Sequence, residues 1–145
     1  MIALGSDHAG FGTKEQIKKL LDGMNQPYKD IGTASEESTD YPDWAHRVSE
    51  AVMSGECDRG ILVCGTGIGM AIVANKHKGI RAAACESVTA ARLSRQHNDA
   101  NILALGARLT GWESAVDIIK TFLATSYEGG RHDRRVTKIH SLTQL

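Results

Sequence analysis

A cysteine placed between an apolar strand and a glycine-rich turn is the residue of this chain best situated for chemistry. Cys64 ends the run Ile61-Leu62-Val63 and opens the loop Gly65-Thr66-Gly67-Ile68-Gly69, with a helical stretch from Met70 to Lys76 behind it. Backbone N–H groups at such a turn and helix start are unpaired and point at whatever binds. A thiol there can titrate well below its free value of about 8.5. It could act as a general base, as a nucleophile, or only as a small buried apolar side chain, and the local sequence leaves all three open. The GxGxG spacing follows the third strand and lacks Lys-Ser/Thr, so it is neither a dinucleotide fingerprint nor a P-loop. A nest of N–H groups for an anionic group or an oxyanion fits it better, with a plain tight turn as the bland alternative.

Other candidates lie apart in sequence. Asp7-His8 follows the first strand, where an acid–imidazole pair suits acid–base work or ligand binding, and a structural histidine is the competing reading. His97-Asn98 closes a helix; chemistry and simple helix capping both explain it. Arg131 and Arg135 are one turn apart, with His132 and Arg134 nearby and Arg108 available after the fifth strand. They read as a solvated face or as a phosphate clamp, because guanidinium matches phosphate oxygens bidentately. Cys57 and Cys85 have no glycine loop and read as packing, while His46, His77 and His140 read as surface residues. No set of His, Asp, Glu or Cys has metal-ligand spacing along the sequence, so neither a metal nor another cofactor is expected.

The elements that must position these groups alternate. Strands are expected at Ile2–Gly5, Pro27–Ile31, up to Cys64, Gly79–Cys85 and Asn101–Leu105. Helices are expected at Thr13–Leu21, from Asp40-Tyr41-Pro42 to Met53, at Ser87–His97 and at Ala115–Ala124, the last behind a capping box Thr110-Gly-Trp-Glu113. The tail from Gly129 to Leu145 reads as helical. This predicts an α/β fold: a three-layer α/β/α Rossmann-like sandwich with a five-stranded parallel sheet and a C-terminal helix, in a single domain spanning residues 1–145. Ligands in such sheets bind beyond the carboxyl ends of the strands. If the first and third strands are neighbours, Asp7-His8 and Cys64-Gly65 face one crevice.

Composition narrows the function classes. The chain has 145 residues, 41% hydrophobic and 23% charged, with 17 basic and 17 acidic side chains and zero formal net charge. That balance argues against a general nucleic-acid binder. Three cysteines without CxxC spacing argue against a disulfide framework and for a reducing, cytoplasmic compartment. No stretch is apolar enough to span a membrane, and no signal peptide is expected.

Five blocks together carry a family signature. Gly5-Ser-Asp7-His8-Ala-Gly10, Thr39-Asp40-Tyr41-Pro42, Cys64-Gly-Thr-Gly-Ile-Gly69, Ser94-Arg-Gln-His97-Asn98 and Tyr127-Glu-Gly-Gly-Arg131 resemble, in order and spacing, the type B ribose-5-phosphate isomerases. Relatives in that family act on six-carbon sugar phosphates such as allose and galactose 6-phosphates. The resemblance implies a homodimer whose active sites are completed across the subunit interface, and the sequence leaves open whether dimers pair into tetramers. It also implies a metal-independent aldose–ketose isomerisation through an enediolate. Cys64 would be the base and His97 the ring-opening acid/base. Thr66 and the N–H groups of Gly65, Gly67, Ile68 and Gly69 would hold the enediolate oxygen. Asp7 and Asn98 would bind sugar hydroxyls, and His8, Arg108, Arg131 and Arg135 the phosphate. An isomerase of a six-carbon sugar phosphate is the near alternative. A non-catalytic nucleotide- or sugar-phosphate-binding module is the alternative from another class, in which Cys64 and His97 would have no clear purpose.

Overall fold

The computed structural model describes residues 1–145. Five strands, β1 (Ile2–Ser6), β2 (Tyr28–Asp30), β3 (Arg59–Cys64), β4 (Ala82–Ala84) and β5 (Ile102–Gly106), form one sheet. Its order is β2-β1-β3-β5-β4, and every pairing is parallel. Helices α1 (Phe11–Gly23), α2 (Tyr41–Met53), α3 (Ile68–Ala74), α4 (Val88–Asn98), α5 (Trp112–Ala124) and α6 (Asp133–Thr143) supply the connections and the tail. No helix is long and apolar enough to cross a membrane.

The period-two alternation of each strand sorts the core onto two faces. Ile2, Leu4, Ile61, Val63, Leu103 and Leu105 pack under α1, α4 and α5, against Ile17, Leu21, Ala91, Ile118 and Phe122. Ala3, Leu62, Cys64, Ile102 and Ala104 face α2 and α3, against Ala45, Val48, Met70 and Ala74. Because both faces are covered, β3 carries no polar alternation, which is why Ile61-Leu62-Val63 reads as a continuous apolar run.

Register fixes what stands at the carboxyl edge. Ser6 pairs with Val63, and Cys64 with Gly106. The chain passes from β1 outward to β2 and then returns to β3 on the other side, so the β1/β3 boundary is where strand order switches. Asp7 and the Cys64 loop leave the sheet at that boundary.

Several local expectations are corrected. Thr110 does not cap α5: its N–H closes a turn on the Gly106 carbonyl (3.0 Å), the N-cap falls to Gly111, and Thr110 Oγ1 is buried without a partner. Ser87 does cap α4, accepting from the Ala90 N–H at 3.1 Å. Arg131 and Arg135 do not share one helix, because Gly130–His132 form a separate 3₁₀ turn ahead of α6. Residues 79–81 lie outside β4, where Asn101 side-chain atoms bond the Gly79 carbonyl and the Arg81 N–H. His140 is not a free surface residue: Arg81 Nη1 and the Leu145 carbonyl hold its two ring nitrogens at 2.8 and 2.7 Å.

Candidate active site

One crevice at the β1/β3 switch gathers Asp7, His8, Cys64, Gly65, Thr66, Ile68, Gly69 and Arg108, with Tyr41 as an additional wall. The carboxyl ends of three neighbouring strands converge there, so residues remote in sequence become adjacent. Asp7 is buried, and its Oδ1 accepts from the Gly10 N–H at 3.0 Å, which leaves Oδ2 for a ligand. His8 Nδ1 lies 3.2 Å from both the Thr39 N–H and the Thr39 carbonyl. The loop ahead of α2 therefore holds the imidazole and leaves Nε2 uncommitted.

The thiol is held by its own loop. Gly67 adopts φ +77°, and a Cβ there would stand 2.9 Å from the Leu105 carbonyl carbon, so only glycine fits the turn. That turn aims the Gly67 N–H at Cys64 Sγ, 3.1 Å away, a contact that stabilises negative charge on sulfur. The Gly67 N–H is thus taken by the thiol and is not free for a substrate oxygen. Ile68 N–H is also occupied, by Thr66 Oγ1 at 3.2 Å, an acceptance that leaves the Thr66 hydroxyl proton available to donate. The N–H groups of Gly65, Thr66 and Gly69 have no partner within the chain and remain as the donors of the nest. Arg108 lies over Gly65, whose absent Cβ would meet the guanidinium at 3.2 Å, and it makes no ion pair. Tyr41 covers Gly69 in the same manner. Sequence reading noted Tyr41 only within a helix-start signal and missed its ring as a wall; the unbranched Gly69 opposite was the available clue.

Cys57 and Cys85 are buried, and burial pushes both thiols up from the usual range. Cys64 is also buried, at 5% exposure, but it lines the crevice, where a small reagent can reach it. Iodoacetamide is therefore expected to alkylate Cys64 first, with peptide mapping as the readout. Prior labelling of Cys57 or Cys85 would contradict this placement.

The remaining candidates form a second group elsewhere. In a parallel α/β sheet each connecting helix runs back against the strands, so α4 ends at the amino edge, just before β5. Five residues of strand at about 3.3 Å each separate that edge from Cys64, roughly 15 Å or more. α4 also lies on the opposite sheet face from the Cys64 side chain. His97 stacks on His132, with ring centroids 4.5 Å apart and planes tilted by 18°. Arg131 adjoins it in the 3₁₀ turn, and Arg135 follows in α6. Asn98 lines a separate cavity of about 310 Å³ beside Arg81 and His140. Arg131 and Arg135 are exposed and carry no carboxylate partner within the chain. Within the chain the two groups of candidate residues therefore stand at opposite edges of the sheet.

Sequence reading also missed the place of His132 and Glu128. His132 is more than a neighbour of the arginines: it is 6% exposed, and Glu128 Oε2 lies 3.4 Å from its Nε2. The pairing depends on the tail bonding to the end of α4, through Glu128 N–H to the Gln96 carbonyl at 3.1 Å. No spacing in the sequence announces that contact.

Residues 2–139 match the family described as Ribose/Galactose Isomerase. The chain is 50% identical over 143 residues to ribose-5-phosphate isomerase B of Escherichia coli strain K12, covering 99% of this chain and 96% of that one. Among solved structures, ribose-5-phosphate isomerase B of Clostridium thermocellum superposes with a TM-score of 0.97 at 52% identity, covering 99% and 97% of the two chains. The Thermotoga maritima ribose 5-phosphate isomerase superposes with a TM-score of 0.95 at 54% identity, covering 97% of each.

Proposed function

The chain belongs to the ribose/galactose isomerase family, and from that premise we propose that it interconverts ribose 5-phosphate and ribulose 5-phosphate, with Cys64 carrying the carbon-bound proton. The observation that supports this most is the crevice itself. It joins a thiol, a set of unpartnered N–H donors, a half-free carboxylate and an unpaired arginine at one strand edge. These are the parts an enediolate mechanism requires.

The reaction begins with a closed furanose. His97 takes the proton of the C1 hydroxyl and returns one to the ring oxygen as the C1–O bond to that oxygen breaks, giving the open aldehyde. Cys64 as thiolate then removes the proton from C2. The electron pair moves into a C1–C2 double bond, and charge develops on O1. The N–H groups of Gly65, Thr66 and Gly69, with the Thr66 hydroxyl, hold that oxygen. Removal of one comparable donor typically costs on the order of 10²–10³ in turnover. The thiol returns its proton to C1 while the O2 proton leaves for O1, which completes the ketose. Asp7 Oδ2 and Asn98 bind sugar hydroxyls, and His8, Arg108, Arg131 and Arg135 surround the phosphate.

His97 and its arginines belong to the opposite edge of the protomer, so the site needs a second copy of the chain. The exposed apolar side chains support that dimer. Ile68 lines the crevice and is exposed, as are Ile72 on the same helix and Leu109 next to Arg108; α6 buries none of its residues, and Leu142 on α6 is 76% exposed. A homodimer in which the His97 edge of one subunit closes the Cys64 crevice of the other explains both these exposed apolar side chains and the split arrangement. Three free cysteines fit a cytoplasmic enzyme.

Substrate length is tested directly. A six-carbon sugar phosphate adds one hydroxymethylene unit, and pockets discriminate a single carbon unit by only about 1–3 kcal/mol. Steady-state assays on ribose 5-phosphate, allose 6-phosphate and galactose 6-phosphate are expected to give the highest kcat/KM with ribose 5-phosphate. A higher value with either hexose phosphate would move the assignment to the six-carbon branch.

A further inference from the structure

The His97 edge carries a set of three donor side chains, of which isomerisation uses only His97. Ring nitrogens of His97 and His132 and a carboxylate oxygen of Glu128 all lie within 4.8 Å of one another. A second observation singles the group out. His132 Nε2 is buried without a hydrogen-bond partner, on a side chain that is 7% exposed, and it faces the Glu128 carboxylate 3.4 Å away, outside hydrogen-bond geometry. A buried imidazole nitrogen left unbonded is destabilising unless something else engages it. Here the direction it faces is toward two further metal-ligating groups.

The geometry points to a zinc-class divalent cation site formed by His97, His132 and Glu128. Two neutral imidazoles and one carboxylate are a donor set that Zn²⁺ takes with a fourth position left open. Ligands at about 2.0–2.2 Å in tetrahedral array sit about 3.4 Å from one another, so the three donors close on an ion by side-chain movements of about an ångström. The elements allow this. Glu128 is exposed on the tail and free to turn, His97 is half-buried at the end of α4, and His132 is the fixed member. The two rings stack with their centroids 4.5 Å apart and their planes 18° from parallel, so binding one ion requires His97 to turn toward His132.

The consequence for activity rests on the ring-opening role given to His97 above; the ion site does not. A coordinated imidazole nitrogen can no longer accept the C1 hydroxyl proton, so the ion acts as an inhibitor that competes for the acid/base group itself.

Chelator-treated dimer titrated with ZnCl₂ in isothermal titration calorimetry is expected to take up an ion at this site in each protomer. Glu128→Gln, an exposed change that leaves the fold intact, and His132→Gln are each expected to weaken that uptake about tenfold or more. The other imidazole pair, His46 Nδ1 and His77 Nε2 at 2.7 Å, is the internal competitor. His46→Gln is expected to leave the uptake unchanged. Cobalt(II) at the site is expected to show the visible bands of a four-coordinate ion, lost in Glu128→Gln. Uptake that survives both Glu128→Gln and His132→Gln, or that disappears with His46→Gln, overturns the site. Turnover of ribose 5-phosphate is expected to fall in proportion to occupancy. Binding with the stated dependences but undiminished turnover upholds the ion site and instead overturns the ring-opening role of His97.

Discussion

Replacing Cys64 with alanine is expected to lower isomerisation by about 10²–10⁴-fold while leaving phosphosugar binding nearly unchanged, the range a positioned acid–base group contributes. The thiol's hydrogen bond is to the Gly67 N–H of its own loop, and the side chain packs in the core on the α2–α3 face. Its loss removes the proton carrier without disturbing Asp7 or Arg108. Alanine leaves a small void at one already tight position, at the low end of large-to-small costs. Turnover and calorimetric binding of a non-isomerisable phosphosugar separate the two effects. Substantial residual turnover in Cys64→Ala would remove the thiol from the role of base. A parallel collapse of binding would show instead that the loop had been disrupted.

His97→Asn carries the second large effect, and its signature is directional. Ribose 5-phosphate enters chiefly as a furanose and must be opened. Ribulose 5-phosphate has its terminal hydroxyl phosphorylated and enters already open. The variant is expected to lose about 10²-fold or more with the aldose and far less with the ketose. Asparagine keeps a polar side chain at the end of α4, where His97 is half-buried, so the helix is retained. Equal losses in both directions would exclude ring opening as its task.

The residues that sequence made legible are those whose neighbours are local or fixed by sheet periodicity. Ile61-Leu62-Val63 announced a buried strand, and the helix expected over Ser87–His97 forms, with Ser87 as the cap that the structure adds. The GxGxG run announced a turn only glycine can make, and Gly67 makes it. Where the reading failed, a contact from elsewhere decided. Thr110 had every feature of a cap, but a turn closed on Gly106 took its N–H first. Arg131 and Arg135 had helical spacing, but the 3₁₀ turn at Gly130–His132 intervened. The nest lost the Gly67 N–H because the nearest acceptor was the thiol that opens the loop. Glu128 and His132 meet His97 only because the tail bonds to the end of α4. The separation of Cys64 from His97, by contrast, follows from parallel topology alone, because a connecting helix always ends at the edge opposite the strand before it.

That separation is the central claim, and mixing two inactive variants tests it most directly. Cys64→Ala and His97→Asn proteins are unfolded together, refolded as a random mixture and assayed on ribose 5-phosphate. If each site takes Cys64 from one subunit and His97 from its partner, a mixed dimer has one doubly altered site and one intact site. Half the dimers are mixed, so the mixture is expected to recover about a quarter of the unaltered protein's activity. Activity no greater than the sum of the two variants alone would place both residues in one protomer's site and contradict the account.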